Sequence, residues 1–538
     1  MQFKKKIIAS LLISGGVLGA AGQASANDSS ELEQLRALVQ ELDQKVRVLA
    51  RKEELQEEDL EKQKKETPKI KASASGFGLE SADGKNSIKL QGLLQSDYRA
   101  YNNAYRDVRS RSDFRAGDLD NGLTGFSNTG DGWLIRRARP TVLGTLFGKY
   151  DYRFTEDFAG GNATVVDAYV DARFDPAFQV QVGKYKSQFS LERLQGGGNI
   201  KFIERSYVAN DIAPNRDLGI NLHGDVLDKK LSYSLAYNNG VQDGGNISTG
   251  TDFNGASEYT ARLFTTPFKD QDSALSGLGF GLAATHAHFS GQANLNYTDT
   301  SAANGSWNGL PSYVSDGQNT VFRYNTWTSG STPGAVADGT RFRLSPQANY
   351  YYGPFGLITE YVRISQGVSN YTGGSPAAGG TATDFVINKS SNKTLNHDAW
   401  QIAGSWLLTG EDASFGKVKP KQDFDLDKGG WGAWELVARY HELNLDDATF
   451  KNKAGTSYTQ AAGAYSDLSK SVKSAHSYDL GVNWYLNEDV KVAVNYLHTT
   501  FEGGDIKPGT GANILANGSN VADRSDEQAI FARFQISY

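Results

Sequence analysis

The last nine residues, Ile530-Phe531-Ala532-Arg533-Phe534-Gln535-Ile536-Ser537-Tyr538, alternate and then stop on an aromatic. On a strand, Ile530, Ala532, Phe534, Ile536 and Tyr538 share one face, and Phe531, Arg533, Gln535 and Ser537 the other. One greasy face and one mixed face fit the wall of a transmembrane β-barrel, whose outside meets lipid and whose inside meets water. The same pattern recurs along most of the chain, so this segment governs how the rest is read.

Composition agrees. Only 39% of the 538 residues are hydrophobic, and mean hydropathy is −0.49. No apolar run long enough for a membrane helix (about 18 residues) follows the amino terminus. A barrel wall averages out as polar because only alternate residues face lipid. The lack of cysteine excludes disulfides and thiolate metal sites. Residues 1–26 have the form of a secretory leader: Lys4, Lys5 and Lys6, an apolar stretch from Ile7 to Ala21, and Ala24-Ser25-Ala26 as the cleavage site.

Residues 27–70 carry a different period. Leu32, Leu35, Val39, Leu42, Val46 and Leu49 are spaced 3, 4, 3, 4, 3 between charged residues, which predicts a short periplasmic coiled-coil helix ended before Pro68. Valine at a with leucine at d leans towards dimers in a bare peptide, a preference that a trimeric barrel downstream could override.

Residues 71–538 are expected to form an all-β, 16-stranded antiparallel transmembrane barrel. Alternating blocks fall near 88–101, 133–147, 149–157, 164–174, 177–189, 216–224, 230–239, 257–266, 277–289, 341–352, 354–366, 397–409, 431–443, 475–487, 489–501 and 527–538. Tight turns at Gly148-Lys149, Asp175-Pro176, 225–229, Gly353 and Asn487-Glu488 alternate with long segments, among them 102–132, 190–215, 290–340 and 367–396. Short turns on one side and long loops on the other match a bacterial outer-membrane barrel. Two connections break the rule: 158–163 is short and 410–430 is long.

Alternation also assigns faces. Lys89, Arg99, Arg137, Arg139, Arg153, Arg173, Arg262, Arg341, Arg343, Arg439, Lys491 and Arg533 point inward, against Asp97, Asp151, Asp167, Asp171, Glu360, Glu435 and Asp479. That is 12 bases against 7 acids in a chain whose formal charge is −6, or −9 once the three leader lysines are removed. Rings of Arg and Lys select for anions. The alternative is that these arginines only brace the wall by pairing with lumenal acids. Arg136-Arg137-Ala138-Arg139 cannot all face one way, so one of the adjacent pair points out or the strand carries a bulge. The segment from Lys184 to Arg216, with Lys184, Lys186, Arg193, Lys201, Arg205 and Arg216 around the run Gln195-Gly196-Gly197-Gly198-Asn199, is the candidate constriction loop.

Several stretches together resemble the phosphate-selective porins O and P: Phe77 to Gly84, Ile135-Arg136-Arg137-Ala138-Arg139, Val182-Gly183-Lys184-Tyr185-Lys186, Leu191-Glu192-Arg193 and Phe202-Ile203-Glu204-Arg205-Ser206. The resemblance implies a trimeric outer-membrane porin of 16 strands with a lumenal arginine ladder and a lysine-bearing eyelet. Arg136, Arg137 and Arg139 sit where a ladder segment would be. Lys184, Lys186 and Lys201 are placed at the eyelet by position alone.

The expected function is therefore a water-filled channel for phosphate or similar small anions, in contact with outer-membrane lipid, without cofactor or nucleic-acid partner. A barrel enzyme, or an adhesive barrel with a plugged lumen, is the competing reading. It is disfavoured by scattered acids, by the absence of a Gly-Ser-Gly elbow or phosphate loop, and by an inward face expected to carry few large apolar residues. His286-Ala287-His288 has strand spacing for two imidazoles on one face, but without a third ligand it reads as a rim pair.

Overall fold

The computed structural model describes residues 28–73, 76–102, 131–161, 163–247, 257–290, 308–325, 334–376, 385–452, 454–459, 463–507, 509–510 and 513–538. The leader at 1–26 lies outside them. The chain divides into two units, Met1–Pro68 and Lys69–Tyr538.

Within the first unit, one helix, α1, runs from Asp28 to Glu66 and stops just before Pro68, which cannot continue it. Its polar faces carry i,i+4 pairs such as Lys45–Glu41 and Arg47–Asp43. The heptad positions Leu35, Val39, Leu42, Val46 and Leu49 are all more than half exposed. An apolar stripe of this kind has nothing to bury itself against within one helix.

Sixteen strands of the second unit close on themselves: Ser87–Asn102 (β1), Gly132–Leu146 (β2), Tyr150–Asp157 (β3), Thr164–Asp175 (β4), Phe178–Lys186 (β5), Arg216–Val226 (β6), Leu231–Asn238 (β7), Glu258–Thr265 (β8), Leu278–Ser290 (β9), Gly334–Tyr352 (β10), Phe355–Pro376 (β11), Phe385–Leu407 (β12), Ala433–Asn444 (β13), Val472–Tyr485 (β14), Val490–Ile506 (β15) and Glu527–Ser537 (β16). Each pairs antiparallel with the next, and β16 pairs with β1 from Gln528↔Asn102 to Ser537↔Leu93. Closure leaves no open edge, as a lipid-spanning sheet requires. At this seam Tyr538 exchanges backbone hydrogen bonds with Gly92, and a Cβ at Gly92 would fall 2.5 Å from the Tyr538 ring. Glycine is needed there because the terminal aromatic lies across it. The remaining edge of β1, Ser87 to Leu90, is covered by Gly76–Glu80, which forms a hairpin with Lys69–Ser73.

Every second residue points out. Ile88, Leu90 and Leu94 of β1 are exposed, whereas Gln95 and Asp97 are completely buried. Phe342 and Leu344 are exposed on β10, while Arg341 and Arg343 between them are not. Outward aromatics gather at two levels. Phe147, Tyr150, Phe174, Phe178, Phe355, Trp406 and Tyr538 lie at the turn end, and Trp133, Tyr237, Tyr259 and Tyr478 towards the loop end. Two girdles flanking an apolar band are the signature of a barrel seated in a bilayer.

Both exceptions in the connections are real: 158–163 is short, and 408–432 is a long connection at the turn end. The stretch 367–396 is not a loop. β11 and β12 run on through most of it and pair as far as Pro376↔Phe385. Their polar, glycine-bearing upper halves had lost the alternation that marks a lipid-facing strand. Because the ring of hydrogen bonds closes without the helix, deleting 27–70 is expected to leave a folded, heat-modifiable barrel on gel electrophoresis; loss of that band would contradict it.

Candidate functional site

The barrel is not an empty tube. The connection between β5 and β6, residues 187–215, folds inside and is buried over almost its whole length. It is tied to strands all around the wall. The backbone N–H groups of Leu191 and Glu192 donate to the Glu360 carboxylate of β11 (2.5 and 2.8 Å). The Ile203 N–H donates to Asn495 of β15 (2.6 Å), and the Ile200 carbonyl accepts from Lys491 (2.8 Å). Gln95 of β1 and Gln535 of β16 donate to the carbonyls of Gly197 and Gly198 (3.0 and 2.9 Å). A Cβ at Gly197 would meet Leu93 at 3.1 Å, so the glycine run lets the loop lie flat against β1.

A second insertion was not foreseen. Residues 308–325 also turn inward, as a hairpin of Ser312–Val314 on Thr320–Arg323. Its turn is held by Glu527 of β16, which accepts from Ser315 Oγ (3.0 Å) and Gly317 N–H (2.8 Å). Between this hairpin, the β5–β6 loop and the wall lies a large apolar cluster that includes Phe189, Tyr207, Phe289, Tyr313, Phe322 and Phe450. The expectation of few large apolar groups inside is thus corrected. The residues belong to loops and to strand segments nearer the loop end, where alternation gives no warning of inward packing.

The two sides of the interior differ as a result. Along β10 to β16 the inward side chains Arg341, Arg343, Glu360, Glu435, Arg439, Asp479 and Arg533 are buried beneath the loops. Along β2 to β6 the face is mixed: Arg137, Asp167 and Arg216 are buried, Arg139, Arg153, Asp171, Lys186 and His223 are only half-buried, and Arg173 is exposed.

Most of the inward bases found by alternation are braced by acids. Arg99 meets Glu204 (2.5 Å), Arg139 meets Asp157 (2.7 Å), and Arg173 meets Asp151 (2.8 Å). Arg341 and Arg343 share Glu258 (2.9 and 2.5 Å), Arg439 meets Asp479 (2.6 Å), Lys201 meets Glu435 (3.1 Å), and Arg216 meets Asp167 (2.9 Å). The excess of bases counted on the strands does not describe the interior. Glu192, Glu204, Asp211, Asp243, Glu258, Asp316 and Glu527 are buried there too, mostly contributed by loops.

Arg136 is resolved by a bulge. Gln95 pairs with Arg137 and Ser96 with Ile135, so Arg136 is the extra residue. That kink turns Arg136 inward beside Arg137, where its guanidinium grips Glu204 with two hydrogen bonds (2.7 and 3.0 Å). Replacing Glu204 by Gln would leave Arg99 and Arg136 facing a neutral amide. The expected outcome is a stronger anion preference in reversal-potential measurements, with a looser β5–β6 loop.

Six of the predicted site residues have no carboxylate at ion-pair distance among the described residues: Arg137, Arg153, Lys184, Lys186, Arg193 and Arg205. Arg137 donates to Gln95 Oε1 (2.5 Å), and Lys184 to the carbonyl of Ile247 (2.6 Å). Lys186 and Arg205 converge on the Gln195 carbonyl (2.7 and 3.0 Å), and Arg193 donates to that of Ala209. Lys186 has Arg205, Arg216 and Arg193 as charged neighbours against the acid Asp167, and Arg137 has Arg136, Arg205, Arg533 and Arg139. Burial pushes the Arg205 guanidinium down to about 10 against the opposing pull of Glu192, and Arg216 and Arg139 add to the fall. Positive charge is thus concentrated where the glycine-rich loop meets β2, β5 and β6, not spread through the lumen. His286 and His288 lie on the outward face of β9, away from it.

A closed, girdled barrel of 16 strands with an inward loop is an outer-membrane channel of the porin class. The sequence model of the phosphate-selective porin O and P family matches residues 107–503, and the chain belongs to that family. Porin O of Pseudomonas aeruginosa is 22% identical over 443 residues, which span 78% of this chain and 85% of that protein. Similar solved structures include the outer-membrane channel DcaP of Acinetobacter baumannii (10% identity, TM-score 0.45, 86% of this chain and 100% of that one). The anion-selective porin from Comamonas acidovorans also matches (10% identity, TM-score 0.42, 84% and 100%). The protein is thus placed in the outer membrane of a Gram-negative bacterium.

Proposed function

We propose that the protein is an anion-preferring porin that passes phosphate and similar small anions, with the β5–β6 loop as its constriction. The observation that carries this reading is the group of bases without acid partners, Arg137, Lys186, Arg193 and Arg205, gathered at one point of the interior. A cation fixed in a narrow, partly dehydrated passage is screened less than on an open surface, and it favours anion entry. Arg139 and Arg173, each braced by an acid, and Arg153, which has none at ion-pair distance among the described residues, continue from that point down the half-buried β2–β4 wall to the turn end. The interspersed Asp151 and Asp171 keep binding weak enough for release. Family membership supports the solute class. The exposed heptad stripe of α1 supports self-association through a periplasmic coiled coil of residues 27–70, and family membership supports three copies.

Reversal potentials of the purified protein in a planar bilayer under a KCl gradient test the reading, with chloride current then challenged by phosphate. Anion preference and block by phosphate are expected. Cation preference, or no conductance, would overturn it.

A further inference from the structure

The two inward segments meet at one imidazole. His441 of β13 is completely buried. Its Nδ1 accepts the backbone N–H of Tyr207 in the β5–β6 loop (3.2 Å), and the Tyr207 ring lies 4.4 Å from its own. Its Nε2 faces Asp316 Oδ2 in the turn of the inward hairpin (3.0 Å) and Asp479 Oδ2 of β14 (3.4 Å). A backbone N–H can only donate, so the Nδ1 that receives it carries no proton, and Nε2–H is left to donate to Asp316. The contacts therefore describe a neutral imidazole that joins loop, hairpin and wall.

The surrounding charges pull the other way. Arg439 on the same strand donates to Asp479 (2.6 Å) and Asp316 (3.3 Å), which leaves two carboxylates against one guanidinium. Glu192 of the β5–β6 loop (3.4 Å from Arg439) adds further negative charge, whereas burial pushes the Asp211 carboxyl of the same loop well up, towards its neutral form. Burial, with Asp479 beside it, pushes the Asp316 carboxyl up to about 7, against Arg439 and His441. Asp316, His441 and Asp479 could also group around a metal ion. The Arg439 guanidinium, on Asp479 Oδ2 (2.6 Å) and Asp316 Oδ1 (3.3 Å), would repel a divalent ion held by these same carboxylates, so a proton is the better fit.

We propose that His441 is the positioning residue of the constriction loop, and that its protonation frees the loop at Tyr207 and opens the pore. A proton added to Nδ1 turns an acceptor into a donor aimed at the Tyr207 N–H, so that hydrogen bond is lost. Meanwhile the bonds to Asp316 and Asp479 gain a full charge. Histidine changes charge between about pH 5 and 8, the range over which the switch operates.

The inference rests on the loop being the constriction, and the test separates the two claims. Conductance and reversal potential of the full chain are recorded at a series of pH values, alongside His441→Gln. Gln can accept from Tyr207 and donate to Asp316 but cannot titrate. In the unaltered protein conductance is expected to rise and anion preference to fall with acid, while His441→Gln stays flat, because a proton on Asp316 leaves the Tyr207 hydrogen bond in place. A flat response from the unaltered protein, or titration persisting in His441→Gln, overturns the proposal. Absence of anion preference at the alkaline end would instead overturn the channel reading. Should His441→Gln fail to form trimers, a second measurement decides. The chain lacks cysteine, so Ala209→Cys reports loop release through thiol labelling. Labelling compared at one acidic pH between His441 and His441→Asn, both carrying Ala209→Cys, should be faster with His441, and equal rates would overturn the idea.

Discussion

Replacing Arg137 and Arg205 together by glutamate is expected to turn anion preference into cation preference. At about 6 Å and an effective dielectric constant of about 20, one unit charge acts on a passing ion with roughly 3 kcal/mol before salt screening. Reversing two charges changes that field by four units. Even if screening leaves only about 1.4 kcal/mol from each residue, each contributes about a tenfold change, and the anion-to-cation permeability ratio falls about a hundredfold. Neither residue has an acid partner, so no carboxylate is orphaned by the change. Arg137→Gln with Arg205→Gln should give an intermediate ratio. Reversal potentials in a salt gradient read the result. An unchanged ratio in a correctly folded barrel would move the selective point away from the loop.

The second large effect is on stability. Arg343→Met is expected to destabilise the barrel by about 3–5 kcal/mol, the usual cost of breaking a buried ion pair from one side. Arg343 is fully buried and holds Asp243 through Nε (2.8 Å) and Nη2 (2.5 Å), Glu258 through Nη1 (2.5 Å) and the Val241 carbonyl (3.0 Å). Its removal leaves Asp243 with the Tyr313 hydroxyl (2.8 Å) as its hydrogen-bond partner and Glu258 with Arg341 (2.9 Å) as its remaining ion-pair partner. Urea unfolding in detergent, followed by tryptophan fluorescence, measures the loss. Adding Asp243→Asn should recover a large part of it, since the orphaned carboxylate and not the missing packing dominates the cost. If the double variant is no more stable than Arg343→Met, the ion pair is not what anchors residues 240–247.

The alternation of Ile530 to Tyr538, and of the blocks before it, determined the wall. Each strand's facing is set by residues two apart, which is local information, and lipid on one side and water on the other write it directly into the chain. The inward direction of Arg341, Arg343 and Arg439 followed from alternation with outward residues such as Phe342, Leu344 and Ala438, and that of Arg137 from the outward apolar residues further along its strand. So did the strand count, because turns and strands alternate. Even the conflict at Arg136 was visible as a pattern that could not be satisfied without a bulge.

What the interior contains was decided only in three dimensions. The acids Glu204, Asp243, Asp316 and Glu527 lie on loops or at strand ends and reach bases on distant strands, as Glu204 reaches Arg99 across 105 positions of sequence. No local period predicts such a contact. The hairpin at 308–325 and the apolar cluster around Tyr313 and Phe322 are held by the same long-range closure. Whether a lumenal arginine attracts solute or braces the wall depends on which acid the fold brings to it. Sequence placed Arg137 and Arg343 on the same footing; the tertiary structure left one without a carboxylate and gave the other two, because only the folded loops supply the partners.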